Sequence, residues 1–398
     1  MTSHPPGTFG PGAPPIAPAD RDGARDVLLD KVESVRSVLE ETAAETENGR
    51  TLAPRAVEAF RESGLFGFKV PREVGGAEAD PVVQMDLIEA VTLIDPAAAW
   101  SMLICSAVTG AATARVGDEA LAEMYEGGRF PCMAGTLRPD GRATKVDGGY
   151  RISGSWAWGS GIHHADWVSV LTFTEGPSPV ISAVVPIADI EVHDNWHVMG
   201  MKGTGSSDYT LDHVLVPDHR IVGFGEPQQR GGLIYRLGAP GYVVNEHMIF
   251  ALALAKRALH QLREYAVAKK RGYLSGTTIA DRPSVQRLVS EGELRLQAFR
   301  LLCDDVLDRM VASAADGPPD AGIVAESRAI STLCTDEALS ITSGAFRHAG
   351  GQAVYLDSVF ERCLRDLYTV QSHFVVHDSS YEQHGQMLMG LLDQSNMA

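Results

Sequence analysis

The sequence predicts a mainly helical α+β protein in which a β-rich middle region separates two helical regions. Three observations support this class. Before residue 129 and after residue 240, apolar residues recur every three or four positions, which is the period of an amphipathic helix. Between residues 130 and 225 the period changes to two, and Gly, Pro and Asp punctuate short apolar segments, as in β-strands. The long C-terminal stretches carry Leu and Ala stripes typical of an antiparallel helical bundle.

The chain therefore divides into four regions. Residues 1–20 are rich in Pro and Gly and lack the basic and apolar regions of a signal peptide, so they are expected to form a disordered tail. Residues 21–129 are predicted to form an N-terminal helical domain and residues 130–225 a β-sandwich or small barrel. Residues 240–398 are predicted to form a four-helix bundle.

Each region contains recognisable elements. Helices are expected from residue 21 to the Asn48-Gly49 turn, at 85–91 and at 97–112, the last so rich in Ala that it must be packed on most sides. Strands are expected at 143–146, 150–158, 167–174, 180–185, 190–196 and 210–216. Long helices are expected at 246–271, 283–314, 322–347 and, with breaks, 357–393.

Composition narrows the classes of partner and compartment. A formal net charge of -17 argues against a nucleic-acid ligand. Five widely spaced cysteines without a C-x-x-C pair indicate reduced thiols and a cytoplasmic protein. The apolar run at 249–255 is the nearest approach to a membrane span and is shorter than the roughly 18 residues needed. No membrane partner is therefore expected.

The segment 148–171 is predicted to be the central element of the chain. It opens with a Gly-Gly turn, alternates like a half-buried strand, and is interrupted by Gly159, Ser160 and Gly161 before a second strand. Glycines beside a serine let backbone N–H groups and a hydroxyl approach a flat ligand, and Trp158 offers an aromatic wall suited to a flavin ring. The alternative is a bulged hairpin whose tryptophans fill a core.

A second Gly-rich loop at 196–208 carries several hydroxyl side chains. It does not open a helix, so neither a phosphate-binding P-loop nor a dinucleotide fingerprint is indicated. The loop is predicted to form a pocket wall.

The segments Gly154–Ser160 (GSWAWGS), Met199–Thr204 (MGMKGT) and Val214–Pro217 (VLVP), within this order of regions, resemble the acyl-CoA dehydrogenase fold. The match covers nearly the whole chain after the tail. In that family a Trp and a Thr on the flavin strand contact the cofactor, and Trp158 and Ser160 fall on those positions. The resemblance further implies flavin contacts from Gly161, from Arg271 to the phosphates, and from the glycine pair Gly350 and Gly351.

The chemistry of the family points to one of its branches. Dehydrogenases usually place a carboxylate base eight residues after an Arg-Asp pair, and counting from Arg365-Asp366 gives Phe374, preceded by His373. The dehydrogenase run Thr-Glu-Pro-x-x-Gly-Ser-Asp is missing, and the segment 135–141 (GTLRPDG) is present. These features resemble the group D two-component flavin-dependent monooxygenases.

This branch implies reduced FMN or FAD supplied by a separate NAD(P)H-dependent flavin reductase, with O₂ as co-substrate. Oxygen is transferred from a flavin C4a-hydroperoxide to a small aromatic, phenolic or polycyclic molecule. Ser160 is expected to bond near flavin N5 and to protect the hydroperoxide. His373, with the ordinary imidazole pKa of about 6.5, is expected to accept a substrate proton. The resemblance also implies a homotetramer.

Several alternatives stay open. Amine N-oxygenation is an alternative to aromatic hydroxylation within the same branch. The nearby side chains favour a flat apolar substrate; they are Trp158, Met199, Met201 and Phe374. Glu246 could act as the base of an acyl-CoA or acyl-carrier dehydrogenase, although a first-turn helix carboxylate is the simpler interpretation. A flavin-free scaffold of the same fold is the third class.

Histidine spacing offers a weak metal signal. His373, His377 and His384 have ligand-like spacing on one predicted helix, but no Glu follows His373 as in H-E-x-x-H. His163 and His164 are expected to face opposite ways on a strand, which makes them weak ligands. No metal site is predicted.

Overall fold

The computed structural model describes residues 9–175, 179–270 and 276–391. The chain divides into two compact units: Met1–Val198 with Lys202–Tyr235, and Met199–Met201 with Arg236–Ala398. The order of helices, sheet and helices confirms the mainly helical α+β class. Because the N-terminal helices and the sheet share the first unit, their division into separate domains stays a prediction.

Helices of the first unit begin at residues that suit helix starts. They are α1 (Arg21–Gly49), α2 (Pro54–Ser63), α3 (Pro81–Ile94), α4 (Pro96–Arg115) and α5 (Asp118–Met124). Asp20 caps α1 and Asp95 caps α4 through their side chains, and proline occupies the first turn of α2, α3 and α4. The predicted helical segments are all present, with α3 and α4 a few residues longer than their apolar patterns.

The prediction of a disordered tail is wrong for residues 9–20. Phe9 is buried and stacks on Phe130, with ring centroids 4.0 Å apart. The Phe9 N–H donates to Gly128 O, and the Ile16 side chain is also buried. Apolar side chains spaced between prolines anchor this segment to the first unit, whereas its Pro and Gly content alone predicted disorder. Residues 1–8 lie outside the described residues.

The segment closest to a membrane span is α4, not the run at 249–255. Among the described residues, α4 is the one helix long and apolar enough to cross a membrane. Of its most apolar window, 78% is buried inside the protein. This agrees with the prediction that an Ala-rich helix here is packed on most sides, because the core helix of a folded unit has the same composition.

The strands of the first unit form one mixed sheet. They are β1 (Met133–Gly135), β2 (Arg142–Val146), β3 (Gly149–Gly159), β4 (Trp167–Thr174), β5 (Val180–Pro186), β6 (Glu191–Val192), β7 (Ser207–Pro217) and β8 (Ile221–Gly223). Their order is β6-β7-β3-β2-β4-β5-β8, with β1 paired to β4. The expected strand at 190–196 is only two residues long. Beyond it, the Asn195 side chain donates to Asp208 Oδ2 and accepts the Asp208 N–H, in place of backbone ladder bonds.

The second unit is a helical assembly around a buried central helix. Its helices are α6 (Gly238–Ala268), α7 (Pro283–Ser313), α8 (Ala321–Ala349), α9 (Val359–Val370) and α10 (Ser379–Leu388). Helix α6 packs against α7, α8 and α9. The C-terminal stretch breaks after Val370, where His373 caps a short 3-10 turn at Phe374–Val376 by accepting the Val375 N–H. An imidazole acceptor thus starts a new turn at a break in this stretch, where breaks were expected.

Candidate active site

A β-bulge turns Trp158 out of the sheet. Between Trp156 and Gly159 the pairing of β3 with β7 shifts register, and Trp158 takes a left-handed backbone with φ +65°. Strict alternation would place both tryptophans on one face. Instead Trp156 is buried, with its indole N–H donating to Leu171 O, whereas 58% of Trp158 is exposed. A bulky residue in this conformation costs about 1–2 kcal/mol, and such strain is commonly retained at functional sites.

Ser160 lies in a chain of hydrogen-bonded side chains. The Trp100 indole N–H donates to Ser160 Oγ (3.1 Å), which shares a hydrogen bond with Ser206 Oγ (2.7 Å). Ser206 Oγ in turn bonds Thr204 Oγ1 (2.7 Å). Because indole only donates, Ser160 can offer its own proton to a ligand when Ser206 donates to it. The second Gly-rich loop thus supplies hydroxyls that orient Ser160.

Gly161, directly after Ser160, has a backbone conformation and close neighbours that only glycine allows. Its φ is +78°, and its N–H donates to Thr204 O at 2.9 Å. A Cβ at this position would stand 2.8 Å from Cys105 Sγ and 3.2 Å from His164 Nε2. Close packing against these two side chains explains the glycine, and its contact with a flavin stays a prediction.

His373, in the second unit, is partly buried against another imidazole. The ring of His247, from α6, lies 4.3 Å from the His373 ring, centroid to centroid, at an interplanar angle of 39°. His373 Nδ1 accepts the Val375 N–H at 3.3 Å. An acceptor at Nδ1 places the proton of the neutral ring on Nε2. Neutral His373 is therefore a hydrogen-bond donor through Nε2.

Burial lowers the pKa of His373 to about 4. The expectation of an ordinary imidazole pKa is thus wrong, because transferring the ring out of water disfavours its charged form. At neutral pH His373 carries no charge, and it is a weaker proton acceptor than the sequence suggested.

The lowered pKa predicts a pH-dependent stability. Above pH 6.5 the imidazole is neutral in both the folded and unfolded states, so it does not make the free energy of unfolding depend on pH. Between pH 6.5 and about 4 the unfolded chain binds the proton and the folded chain does not, so up to about 3 kcal/mol of stability is lost as the pH falls. Denaturant unfolding across this range should show a steeper loss for the natural protein than for His373→Asn. Equal slopes would contradict the buried neutral imidazole.

The Arg365-Asp366 pair anchors the segment Met199–Met201 within the second unit. Arg365 Nη1 donates to Met199 O (3.1 Å), and Asp366 Oδ1 accepts the Met201 N–H (2.6 Å). This leaves the Met199 side chain exposed and buries that of Met201. The prediction that the Met201 side chain helps to line a surface for a flat substrate is therefore wrong. The Phe374 ring, which the resemblance places at the position of the dehydrogenase base, is exposed.

The glycine pair at the end of α8 leaves its backbone open. Gly350 has φ +66° and ψ -143°, a conformation available almost only to glycine. A Cβ on Gly350 or Gly351 would meet no atom within 4 Å. Space for a ligand therefore exists beside both residues. Arg271, the predicted phosphate contact, lies outside the described residues.

Glu246 is not the first-turn carboxylate that was expected. Helix α6 begins at Gly238, so Glu246 stands in its third turn and is fully buried. The apolar pattern hid the true start of the helix, because residues 238–243 carry few apolar side chains at helical spacing.

The histidines with ligand-like spacing do not lie in the helix and the strand that were predicted for them. His377 lies outside any helix and is exposed, and α10 carries His384, so the helical ligand spacing is lost. His163 and His164 lie in a 3-10 turn rather than a strand. His163 Nε2 bonds Ser207 Oγ at 2.9 Å, while His164 Nε2 faces Cys105 Sγ at 3.9 Å.

Several residues near these side chains gave no sequence signal. Trp100 and Ser206 bond Ser160 from 60 and 46 residues away, and His247, in α6, contacts the His373 ring. None forms a local motif with its partner, so only tertiary structure could identify them.

Comparison with known proteins gives two family models and many relatives. The N-terminal domain model of acyl-CoA dehydrogenases matches residues 22–126, and the C-terminal domain model matches residues 247–378. A pigment production hydroxylase of Rhodococcus sp. is 27% identical over 391 residues, covering 93% of this chain and 98% of the relative. The oxygenase component of an FADH₂-dependent resorcinol hydroxylase of Rhizobium sp. is 27% identical, covering 92% and 94%.

A solved structure shows the same fold. XiaF from Streptomyces sp., in complex with FADH₂ and glycerol, superposes with a TM-score of 0.82. It is 22% identical, and the alignment covers 93% of this chain and 96% of XiaF. The similarity extends over both units of the chain.

Proposed function

The chain belongs to the acyl-CoA dehydrogenase family, and from this premise we propose that it is a two-component flavin-dependent monooxygenase that hydroxylates a small aromatic molecule. Phe374 carries this proposal, because it occupies the position of the dehydrogenase base and has no atom that accepts a proton. The hydroxylases among the relatives support the same reaction class. The resorcinol hydroxylase is named as an FADH₂-dependent oxygenase component, which supports reduced flavin from a separate reductase.

The residues of this chain fit a flavin. Trp158 presents an aromatic face that is 58% exposed on a strained backbone, and apolar surface held out of a core is available for stacking. Ser160 offers a hydroxyl oriented by Trp100 and Ser206. Gly350 and Gly351 leave room for close backbone approach. Each unit, taken by itself, thus presents features that a flat cofactor with polar edges requires.

The overall reaction balances as a monooxygenation. Reduced flavin and the substrate C–H bond each contribute two electrons to O₂; one oxygen atom enters the product as a hydroxyl and the other leaves as water. A bound reduced flavin would supply the difficult chemistry, the activation of O₂ for transfer of one oxygen atom to the substrate. The protein then has to orient substrate and exclude water.

We assign two roles to the chain's own side chains. Ser160 donates a hydrogen bond to the flavin edge when Ser206 donates to Ser160. Neutral His373 donates from Nε2 to the reacting oxygen or to the substrate hydroxyl. The second role replaces proton abstraction, because the lowered pKa of His373 makes it a poor base near neutral pH.

A product assay tests the proposal. Purified protein is mixed with chemically reduced FAD or FMN, O₂ and a panel containing phenols, a polycyclic phenol, an arylamine and an acyl-CoA thioester. We expect a phenolic substrate to gain one oxygen atom by mass spectrometry. Gain of oxygen by the arylamine alone would indicate N-oxygenation. A thioester that loses two hydrogens, and stops doing so in Glu246→Gln, would contradict the proposal.

Two further expectations remain proposals. The reduced state of all five cysteines, each a buried free thiol, supports a cytoplasmic location. Exposed leucines on α7, namely Leu294, Leu301 and Leu302, support the homotetramer that the resemblance implies, since large exposed apolar surface favours subunit contact. A native mass of one chain would contradict the tetramer.

A further inference from the structure

Three soft metal ligands that the proposed oxygenation does not use converge inside the first unit. Cys105 comes from the middle of α4, Cys132 immediately precedes β1, and His164 ends the 3-10 turn after β3. Their two Sγ atoms and one imidazole nitrogen all lie within 4.8 Å of one another. Among the described residues, this is the one group of three or more His, Cys, Asp or Glu side chains arranged to hold a metal ion.

We propose that Cys105, Cys132 and His164 bind one Zn²⁺ ion. Zinc is bound by thiolate sulfur and imidazole nitrogen at about 2.3 and 2.0–2.1 Å, and tetrahedral angles then separate sulfur from nitrogen by about 3.6 Å. Cys105 Sγ lies 3.9 Å from His164 Nε2, so a shift of a few tenths of an ångström brings this pair to the tetrahedral separation. The fourth position is left for water.

The backbone around two of the ligands is braced by one ion pair. Arg61 Nη2 donates to Asp166 Oδ1 (3.0 Å) and to His164 O (3.2 Å). Asp166 Oδ2 accepts the Cys132 N–H at 2.8 Å. Ligands held on pre-positioned backbone lose little conformational entropy on binding, which favours a site of defined geometry.

The charges of the cluster balance once the ion is present. Two thiolates neutralise the charge of Zn²⁺, and the Arg61–Asp166 pair is itself neutral. Metal coordination deprotonates both thiols, because zinc binds the thiolate form of cysteine.

The ion would stabilise the turn that carries Ser160. Gly161 packs directly against Cys105 and His164, and no larger residue would fit there. An ion would therefore join α4, the segment before β1 and the turn after β3 at a point adjacent to Ser160. The occupancy of the zinc site does not depend on the proposed oxygenase activity.

Metal content tests the site on the full-length protein. Protein produced in zinc-supplemented medium and purified without chelators should contain one zinc per chain. Cys132→Ala and His164→Gln should fall to background. Cys334→Ala is the matched control, because Cys334 and Cys303 form a buried thiol pair 3.6 Å apart in the second unit, outside the three-ligand cluster. It should retain one zinc.

Three results would overturn the proposal. The first is a zinc content of the natural protein that does not exceed background. The second is an equal zinc content in Cys132→Ala and Cys334→Ala. The third result concerns the mass of the natural protein without reducing agent. A mass two hydrogens below that of the reduced chain, with the missing thiols mapped to Cys105 and Cys132, would show a disulfide instead of a metal site. If the variants fail to fold, Co²⁺ in place of zinc in the natural protein should give thiolate-to-metal charge-transfer absorption, and absence of this band would also contradict the site.

Discussion

Replacement of His373 by Asn is expected to lower the rate of product formation about 100- to 1,000-fold, the range for removal of one preorganised donor to a developing charge. Asn keeps an oxygen that can accept the Val375 N–H, so the cap of the Phe374–Val376 turn is preserved. It removes the Nε2 donor that neutral His373 provides. Binding of reduced flavin, measured separately by anaerobic titration, should change only a few-fold.

His377→Asn is the matched control. His377 lies four residues later, is exposed, and bonds the neighbouring Ser379 through Nδ1. Its replacement should leave product formation unchanged. Full activity in His373→Asn, or an equal loss in both variants, would remove His373 from the reaction.

Trp158→Gly is expected to weaken binding of reduced flavin about 10- to 100-fold while leaving thermal stability almost unchanged. Stacking of a flat heteroaromatic ring on an aromatic side chain contributes about 1–3 kcal/mol, which corresponds to this change in Kd. Removal of a bulky residue from φ +65° relieves about 1–2 kcal/mol of strain. The greater freedom of glycine in the unfolded chain offsets about 0.5–1 kcal/mol of that gain.

Phe173→Gly should show the opposite pattern. Phe173 is also an exposed aromatic residue of the sheet, with 47% of its surface accessible. It lies in regular β4, paired with Val180, so no strain is relieved and glycine is expected to destabilise the strand by about 0.5–1 kcal/mol. Flavin binding should stay unchanged. If Trp158→Gly loses as much stability and as little flavin affinity as Phe173→Gly, Trp158 is not the flavin wall.

Local pattern predicted most elements of the fold. Strand β4 has the predicted bounds, and α7 begins at the predicted Pro283, because alternation and a helix-starting proline are properties of the segment itself. The failures occurred where packing or a single side chain decides the outcome. Residues 9–20 are anchored by Phe9 and Ile16 despite their composition. The 357–393 stretch is broken as expected, but the place of the break is set by the His373 side chain.

The site could be predicted only in part. Trp158, Ser160 and His373 were identified by resemblance, but alternation alone would leave Trp158 buried beside Trp156, since one extra residue in β3 reverses its direction. The pKa of His373 depends on burial, which no short motif encodes. Cys105, Cys132 and His164 come from three separate elements, so their convergence is a property of the tertiary fold.

The source of the oxygen atom in the product tests the central claim most directly. Purified protein, reduced FAD and the phenolic substrate that reacts in the panel are mixed with ¹⁸O₂ in ordinary water, and the product is examined by mass spectrometry. The proposed monooxygenation predicts one ¹⁸O atom in each product molecule, with none when the protein or the reduced flavin is omitted. Product oxygen derived from water, or a product that has only lost hydrogen, would contradict it.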